Sequence, residues 1–395
     1  MSLYAKRGVS AQKEEVHQAI EKLSKGLYAF AFCKIYPDIL CGEEDFVNIM
    51  HADGAGTKSI LAYLYWKETK DASVWRGIAQ DAVAMNLDDL LCVGVYDNII
   101  FSSTIDRNKL LIPAEVLKQI INGTQDFFNS LKTFGVNIEY MGGETADVGD
   151  IVRTIAVNGT MTARVAKDKL ITNEKISAGN VIVGFSSFGK TTYENEYNSG
   201  LGSNGLTSAR HDVLEKYYAS MFPETFESNL PDEVVYIGNN KLTDEVKINY
   251  QSKEITTTIG KLLLSPTRTY APFVKMLLES YFEKINGMIH CSGGGQTKCM
   301  KYLHQNFRIV KDNLFEAPKI FNIIQNSSKS DAREMYQVFN MGHRLEIFTD
   351  DETAKAIIKL ASEFNLEAQV VGRVEASNKK ELILKGSFGE IVYDY

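Results

Sequence analysis

The sequence predicts an α+β fold built from two α/β domains, and three observations predict it. The chain has 395 residues, too many for one ordinary core. Residues 1–165 mix helical and strand patterns without a simple strand–helix repeat. The second half alternates short apolar strands with helices, as an α/β sandwich does. The charged, turn-rich stretch from Ala166 to Gly179 marks the boundary, which gives domains of 1–168 and 169–395.

Taken in order, residues 11–24 suit an amphipathic helix with Val16, Ile20 and Leu23 on one face. An apolar run from Phe46 to Ala52 reads as a strand, and Ser59 to Trp66 as a helix. Residues 71–92 form a second helix, apolar at Ile78, Ala82, Val83, Leu87, Leu90 and Leu91. Asn98–Ile105 is a strand, and Pro113 opens a helix that runs to about Lys132, since proline is tolerated in a first turn. Asn137–Met141 is a strand entering Gly142-Gly143, and Ile151–Val165 alternates with Ile155, Val157, Met161, Ala163 and Val165 on one face. In the second half Val181–Val183, Met288–His290, Leu345–Phe348 and Ala368–Val374 are strands, and Asp351–Phe364 is a helix. Ser265-Pro266 reads as a helix start, with serine as cap and proline at the first position. Another helix is expected from about Thr297. Residues 219–260 carry no regular pattern.

Hydrophobic residues make up 44% of the chain and charged ones 24%, the composition of a soluble globular protein. The net charge is −7 with no block of like charge, which argues against nucleic acid or an anionic membrane as partner. The five cysteines (Cys33, Cys41, Cys92, Cys291, Cys299) are odd in number and lack C-x₂-C spacing, so reduced thiols are expected. No signal-length or membrane-length apolar run is present, and a cytoplasmic protein is expected.

The most informative segment is His51-Ala52-Asp53-Gly54-Ala55-Gly56-Thr57-Lys58. A strand that ends in a carboxylate and passes through small residues into a helix start suits phosphate, because exposed amides and the helix dipole favour an anion. Lys58 is expected to touch phosphate oxygens and Asp53 to hold a Mg²⁺ that bridges to them. Asp81 and Asp88 lie seven residues apart on one helical face, with Asp89 beside them, which reads either as a solvated edge or as a Mg²⁺ platform. Gly142-Gly143-Glu144-Thr145-Ala146-Asp147 again follows a strand and offers Glu144 at its end. Acids from separate segments suit a multi-metal nucleotide site.

Gly184-Phe185-Ser186-Ser187-Phe188-Gly189-Lys190-Thr191 matches the P-loop pattern, but Thr192–Ser199 is short and polar where a P-loop needs a solid helix. The P-loop reading is therefore rejected. Gly200-Leu201-Gly202-Ser203-Asn204-Gly205 spells a dinucleotide fingerprint without the strand that must precede it. A Gly/Ser/Asn loop binding phosphate or amide ahead of a helix from Leu206 fits better. Ser292-Gly293-Gly294-Gly295-Gln296 allows a close approach to ligand, or is a plain tight connection.

In order, the segments DGAGTK (53–58), DAVAMNLDDL (81–90), GGETAD (142–147), GLGSNG (200–205), SPTRTY (265–270), SGGGQTK (292–298) and YQVFNMG (336–342) resemble the phosphoribosylformylglycinamidine cyclo-ligase (aminoimidazole ribonucleotide synthetase) family. Its wider superfamily includes the formylglycinamidine synthetase, selenophosphate synthetase, thiamine-monophosphate kinase and hydrogenase-maturation proteins. The resemblance implies that the N-terminal domain dimerises to build a central β-barrel, with a C-terminal α/β sandwich. It also implies ATP and Mg²⁺ as cofactors and formylglycinamidine ribonucleotide as substrate, closed to aminoimidazole ribonucleotide through an iminophosphate. Carried over by position, Asp53, Asp81, Asp88, Asp89 and Glu144 would be metal ligands. Gly54, Gly56, Thr57, Lys58, Asp81 and Thr145 would bind ATP. Ser186, Ser187, Ser203, Asn204, Gly294 and Gly295 would face the ribonucleotide. Asp53, Lys58 and Asp89 would carry the chemistry by positioning and charge neutralisation.

The chain departs from the family at several points. About ten residues intrude after Ser187, and Gly202 stands where the loop S-G-[LP]-H-S-N-G has histidine. Asp88 replaces the usual asparagine, Ser10 replaces an acid, and Leu27-Tyr28-Ala29-Phe30 replaces a glycine-rich stretch. His343 stands where glycine is favoured and is a candidate to substitute for the lost histidine. Two other readings stay open: another ATP-using superfamily member with a different acceptor, and a non-catalytic nucleotide-binding regulatory paralogue.

Overall fold

The computed structural model describes residues 3–9 and 18–395. The first half of the predicted 11–24 helix therefore lies outside the described residues, as do Ser10 and Val16, and residues 18–20 are helical. Its described end turns at 21–23, with Ile20 41% and Leu23 58% exposed, so these two do not form a buried face. The nearby segment 3–9 docks on the second half through buried Arg7, which donates to Asp212 Oδ1 at 2.6 Å and to the Val234 carbonyl at 2.8 Å.

The first sheet holds β1 (Ile35–Pro37), β2 (Phe46–Gly54), β3 (Ile99–Arg107), β4 (Ile138–Asp147) and β5 (Ile155–Ala166), in the order β1-β2-β5-β3-β4. Of these pairs, β3 and β4 run parallel and the others antiparallel. Alternation does what the pattern predicts: Ile155, Val157, Met161 and Ala163 are buried, although Val165 is only partly so. The helices Val74–Leu91 and Ala114–Lys132 pack together, and Val74–Leu91 lies against β2 and β5. The other sheet face is open and carries Met50, Ile100 and Met141, which are 67%, 45% and 66% exposed. GGETAD is not a turn. β4 runs through it to Asp147, bulging opposite Phe101–Ser103. Gly143 is required there, because a Cβ would lie 2.0 Å from the Ser103 carbonyl oxygen.

The second sheet holds seven strands: β6 (Val181–Ser186), β9 (Gly287–His290), β10 (Phe307–Lys311), β11 (His343–Thr349), β12 (Ala368–Ala376), β13 (Glu381–Gly386) and β14 (Gly389–Asp394). Their order is β14-β13-β10-β12-β6-β11-β9. The Asp351–Glu363 helix packs on β6 and β12, capped by Asp350, which accepts from the Thr353 amide at 2.8 Å. Among the described residues neither large sheet closes into a barrel within the chain. Residues 219–260, patternless in the sequence, contain a β7–β8 hairpin (Glu245–Tyr250 with Lys253–Thr258) and two short 3₁₀ turns. Ser265–Tyr270 is irregular rather than helical, and the next helix is Ala271–Tyr281. The segment after the triple glycine, Gly295–Tyr302, is a 3₁₀ helix.

Beneath the second sheet lies a buried charge cluster. Lys311 and His343 both contact Glu346 Oε1, His343 Nε2 at 2.9 Å. Burial pushes the Glu346 carboxyl up, but Lys311 and His343 outweigh it and hold it at about 2. A depressed carboxyl contributes stability above its ordinary value of 4.5 that is lost as pH falls toward about 2. Glu346→Gln strands the Lys311 charge and is expected to cost on the order of 3–5 kcal/mol at neutral pH. Urea melts at stepped pH will show the gap between wild type and variant closing below pH 4.5.

Candidate active site

Three carboxylates on the Val74–Leu91 helix face the second half of the chain, and all are buried. Asp81 Oδ1 accepts from Lys58 Nζ at 2.8 Å and from the amide and hydroxyl of Thr267, both at 2.6 Å. Lys58 Nζ also donates to the Ser265 carbonyl at 2.6 Å. Asp88 Oδ1 accepts from Thr269 Oγ1 at 2.6 Å and from the Tyr270 amide at 3.2 Å. Burial pushes the Asp88 carboxyl up. Asp89 is gripped on both sides, by His290 Nδ1 at 2.5 Å and His51 Nε2 at 3.1 Å. Burial works to raise its carboxyl, yet the two imidazoles hold it well below the usual range. His51 in turn is raised: burial opposes its charge, but Asp89 and the nearby Asp53 outweigh that. Asn86 fixes the ring, placing Oδ1 3.2 Å from His51 Nδ1 while its Nδ2 donates to the Asp53, Ala82 and Gly159 carbonyls.

The DGAGTK segment is a strand end leading into the Lys58–Thr69 helix. Two of its amides are already used: Gly54 donates to Asp53 Oδ1 at 2.7 Å and Ala55 to the Val157 carbonyl at 2.9 Å. Gly56 has φ of +57°, which glycine tolerates, and Thr57 Oγ1 meets Thr207 Oγ1 at 2.9 Å. Two helix N-termini, those of Lys58–Thr69 and Leu206–Val213, thus meet from the two halves of the chain.

Lys58 does not reach out to a ligand as its motif suggests. It is fully buried in an ion pair, and burial lowers its own affinity for the proton. Nor do the five predicted metal ligands converge. Asp81 and Asp88 stand about 10 Å apart along the helix axis, at about 1.5 Å per residue. Gly54, Asn158, Thr104 and Glu144 form one row across β2, β5, β3 and β4, so Asp53 and Glu144 lie about 14 Å apart at ~4.8 Å per strand. Mg²⁺ oxygen ligands sit at about 2.1 Å, so no single ion spans either pair. Among the described residues no three His, Cys, Asp or Glu side chains are arranged around one ion. A five-acid platform does not fit. A cation carried on a triphosphate, which needs one or two carboxylates, does fit: Asp53 is half-buried at its strand end, and Glu144 and Thr145 are exposed on β4.

The predicted ribonucleotide residues divide in two. Ser186 and Ser187 are buried: Ser186 accepts from Arg268 Nη1 at its carbonyl (3.0 Å), and Ser187 Oγ donates to Asn340 Oδ1 at 2.8 Å. Ser203 and Asn204 are half-buried, with Ser203 Oγ 2.9 Å from Thr267 Oγ1. A Cβ on Gly293 would lie 3.5 Å from Asn204 Oδ1, which brings the two glycine loops together. Gly294 is half-buried with only Lys298 near its missing Cβ, whereas Gly295 is buried, its missing Cβ 2.5 Å from the Phe339 and Tyr336 carbonyls. His343 does not replace the lost histidine: it lies buried in the Glu346 cluster. The rejected P-loop lacks its helix, and Lys190 is exposed.

Sequence reasoning assigned no role to His51, Asn86, His290, Arg268 or Arg344. Arg268 pairs with Glu194 of the inserted segment through Nε–Oε1 at 2.9 Å and Nη2–Oε2 at 2.5 Å. Asn198, from the same insertion, donates to the Pro266 carbonyl at 2.7 Å. The insertion therefore latches the 265–270 strap. Arg268 and Thr267 could have been found, since they stand inside the SPTRTY segment; Glu194 and Arg344 carry no local signal.

Two α/β halves joined along a seam of buried carboxylates match, each in turn, a domain of the AIR synthase related proteins. Residues 38–165 match the AIR synthase related protein N-terminal domain, and residues 231–385 the C-terminal domain. A phosphoribosylformylglycinamidine cyclo-ligase from Methanocaldococcus jannaschii is 30% identical over 331 residues, covering 84% of this chain and 79% of its own. The chain belongs to the phosphoribosylformylglycinamidine cyclo-ligase family. In fold it is similar to Thermotoga maritima PurL complexed with FGAR, at a TM-score of 0.58 and 14% identity over 98% of this chain and 50% of that one. PurL complexed with ADP gives a TM-score of 0.53 at 14% identity, over 98% and 48%. The chain thus spans about half of PurL, and that likeness shows the fold alone.

If Lys58 is a structural partner of Asp81, Lys58→Met will lower stability by on the order of 3–5 kcal/mol, and Lys58→Met with Asp81→Leu will recover part of it. A double-mutant cycle in urea measures this. A phosphate-contacting Lys58 would instead leave stability intact.

Proposed function

We propose that this chain performs the ATP-dependent ring closure of formylglycinamidine ribonucleotide to aminoimidazole ribonucleotide, with release of ADP and phosphate, in purine biosynthesis. The observation that carries this reading is the meeting of the two helix N-termini at Thr57–Thr207, one from each half of the chain. Each adds partial positive charge and unpaired amides, which suits a nucleotide on one side and a ribonucleotide phosphate on the other. ATP binding accords with the nucleotide named in the PurL–ADP structure, whose fold this chain shares. Gly56, Thr57 and the first turn of the Lys58–Thr69 helix would meet its phosphates. Ser203, Asn204 and Gly294 would meet the ribonucleotide.

In this reading phosphoryl transfer from ATP to the formyl-derived amide oxygen turns that oxygen into a leaving group. The amidine-side nitrogen attacks the same carbon, the C–O bond breaks, and phosphate departs. The chain supplies position and exclusion of water. Mg²⁺, held by Asp53 and Glu144 at most singly, would supply charge neutralisation on the triphosphate.

A homodimer is part of the proposal. The open face of the first sheet, with Met50, Ile100 and Met141 exposed, suits a second copy and would complete a shared barrel. No helix among the described residues is long and apolar enough to cross a membrane. All five cysteines are unpaired, which supports a reducing, cytoplasmic location.

The test is ADP release with and without formylglycinamidine ribonucleotide. The proposal expects release that depends on that substrate, unchanged in Lys190→Ala. Release that requires a different acceptor favours another ATP-using relative; absence of release with retained nucleotide binding favours a regulatory protein.

A further inference from the structure

Arg344 is 1% exposed, and most of its head is already engaged. Nε donates to His290 Nε2 at 3.0 Å, Nη2 donates to the Arg268 carbonyl, and Nη2 lies 3.5 Å from Asp88 Oδ2. The guanidinium sits over the Tyr270 ring, 5.5 Å from its centroid. Nη1 makes no hydrogen bond to any described residue. A Cβ placed on Gly202 would come within 3.2 Å of Nη1 and 3.9 Å of Arg344 Cδ, and would meet nothing else within 4 Å. Nη1 therefore points at space that Gly202 leaves open, in the loop that carries Ser203 and Asn204.

The charge there is under-compensated. Neighbouring Arg268 is matched by Glu194 in a close two-pronged pair, at 2.9 Å and 2.5 Å. His290 accepts at Nε2 and so directs its proton through Nδ1 to Asp89, away from the guanidinium. Arg344 has only Asp88, whose Oδ2 lies 3.5 Å from Nη2 and makes no hydrogen bond to a described residue, while Thr269 and Tyr270 occupy Oδ1. A desolvated guanidinium with a free arm selects a planar or tetrahedral oxyanion. Gly202 has no side chain to fill the space in front of that arm.

We propose that Arg344 contacts the ligand directly, with Nη1 donating to a phosphate oxygen of the molecule seated beneath the 200–205 loop. This rests on the cyclo-ligase reading and adds a residue to it. The phosphate belongs either to the ribonucleotide or to the group transferred from ATP.

Wild type, Arg344→Gln, Arg344→Lys and Gly202→Ala are titrated separately with formylglycinamidine ribonucleotide and with ADP by calorimetry, alongside KM for each substrate. Arg344→Gln is expected to weaken one of the two ligands roughly tenfold or more, the worth of a charge-assisted hydrogen bond. Weakening of the ribonucleotide assigns its phosphate; weakening of ADP or of KM for ATP assigns the nucleotide side. Arg344→Lys, which keeps charge but loses the fork, should fall between, and serves if Arg344→Gln does not fold. Gly202→Ala crowds Nη1 and also strains a backbone at φ of +74°, so it should weaken the same ligand, and the assignment rests on the Arg344 variants. Unchanged binding of both ligands to all three variants overturns the proposal, as does absence of binding to wild type. Weakened binding in variants of a wild type that never releases ADP leaves the phosphate contact standing and removes the cyclo-ligase reading.

Discussion

The seam between the halves depends on the acidic face of the Val74–Leu91 helix. A carboxylate removed from water must be matched by donors close at hand, or the fold loses several kcal/mol per charge. Asp81, Asp88 and Asp89 take most of those donors from the second half: Thr267, Thr269, Tyr270 and His290. Geometry then dictates the strap. Asp81 and Asp88 are about 10 Å apart along the helix, and even an extended chain rises only about 3.3 Å per residue, so at least three steps, those from Thr267 to Tyr270, are needed to span the gap. The two halves are held in register by hydrogen bonds of fixed length, so the two glycine loops and the two helix N-termini meet with little freedom. Positioning of this kind is what ligation chemistry asks of a protein.

Much of this was legible in the residues alone. Period-two alternation gives β5, and the short polar stretch after Lys190 rules out the helix that a P-loop requires. The errors share a cause. Ser265-Pro266 has the local chemistry of a helix start, but Asp81 and Lys58 claim the strap's donors and carbonyl, so the segment stays irregular. Gly142-Gly143 looks like a turn, whereas one glycine is present because a neighbouring strand comes too close for a side chain. Lys58 follows a glycine loop and reads as a phosphate ligand. The carbonyl that holds it in the interior lies 207 residues away, and no window along the chain reveals that. Spacing shows that Asp81 and Asp88 share a face; it does not show that the face is covered.

An acidic chain can still present a cation to an anion. The net charge of −7 is set mostly by exposed groups, which salt screens within about 8 Å. Several buried cations have close partners: in the seam Lys58 is cancelled by Asp81 and Arg268 by Glu194, and beneath the second sheet Lys311 by Glu346. These pairs contribute rigidity and almost no outward field. What remains is the pair of helix N-termini and the Arg344 guanidinium, whose carboxylate lies 3.5 Å away. The guanidinium is desolvated and held still, so its attraction for an oxyanion is little weakened by salt or by side-chain entropy. In the proposed reading, selectivity for a phosphate at this seam follows from which buried cation is left without a full partner, and the count of surface charges has little bearing on it.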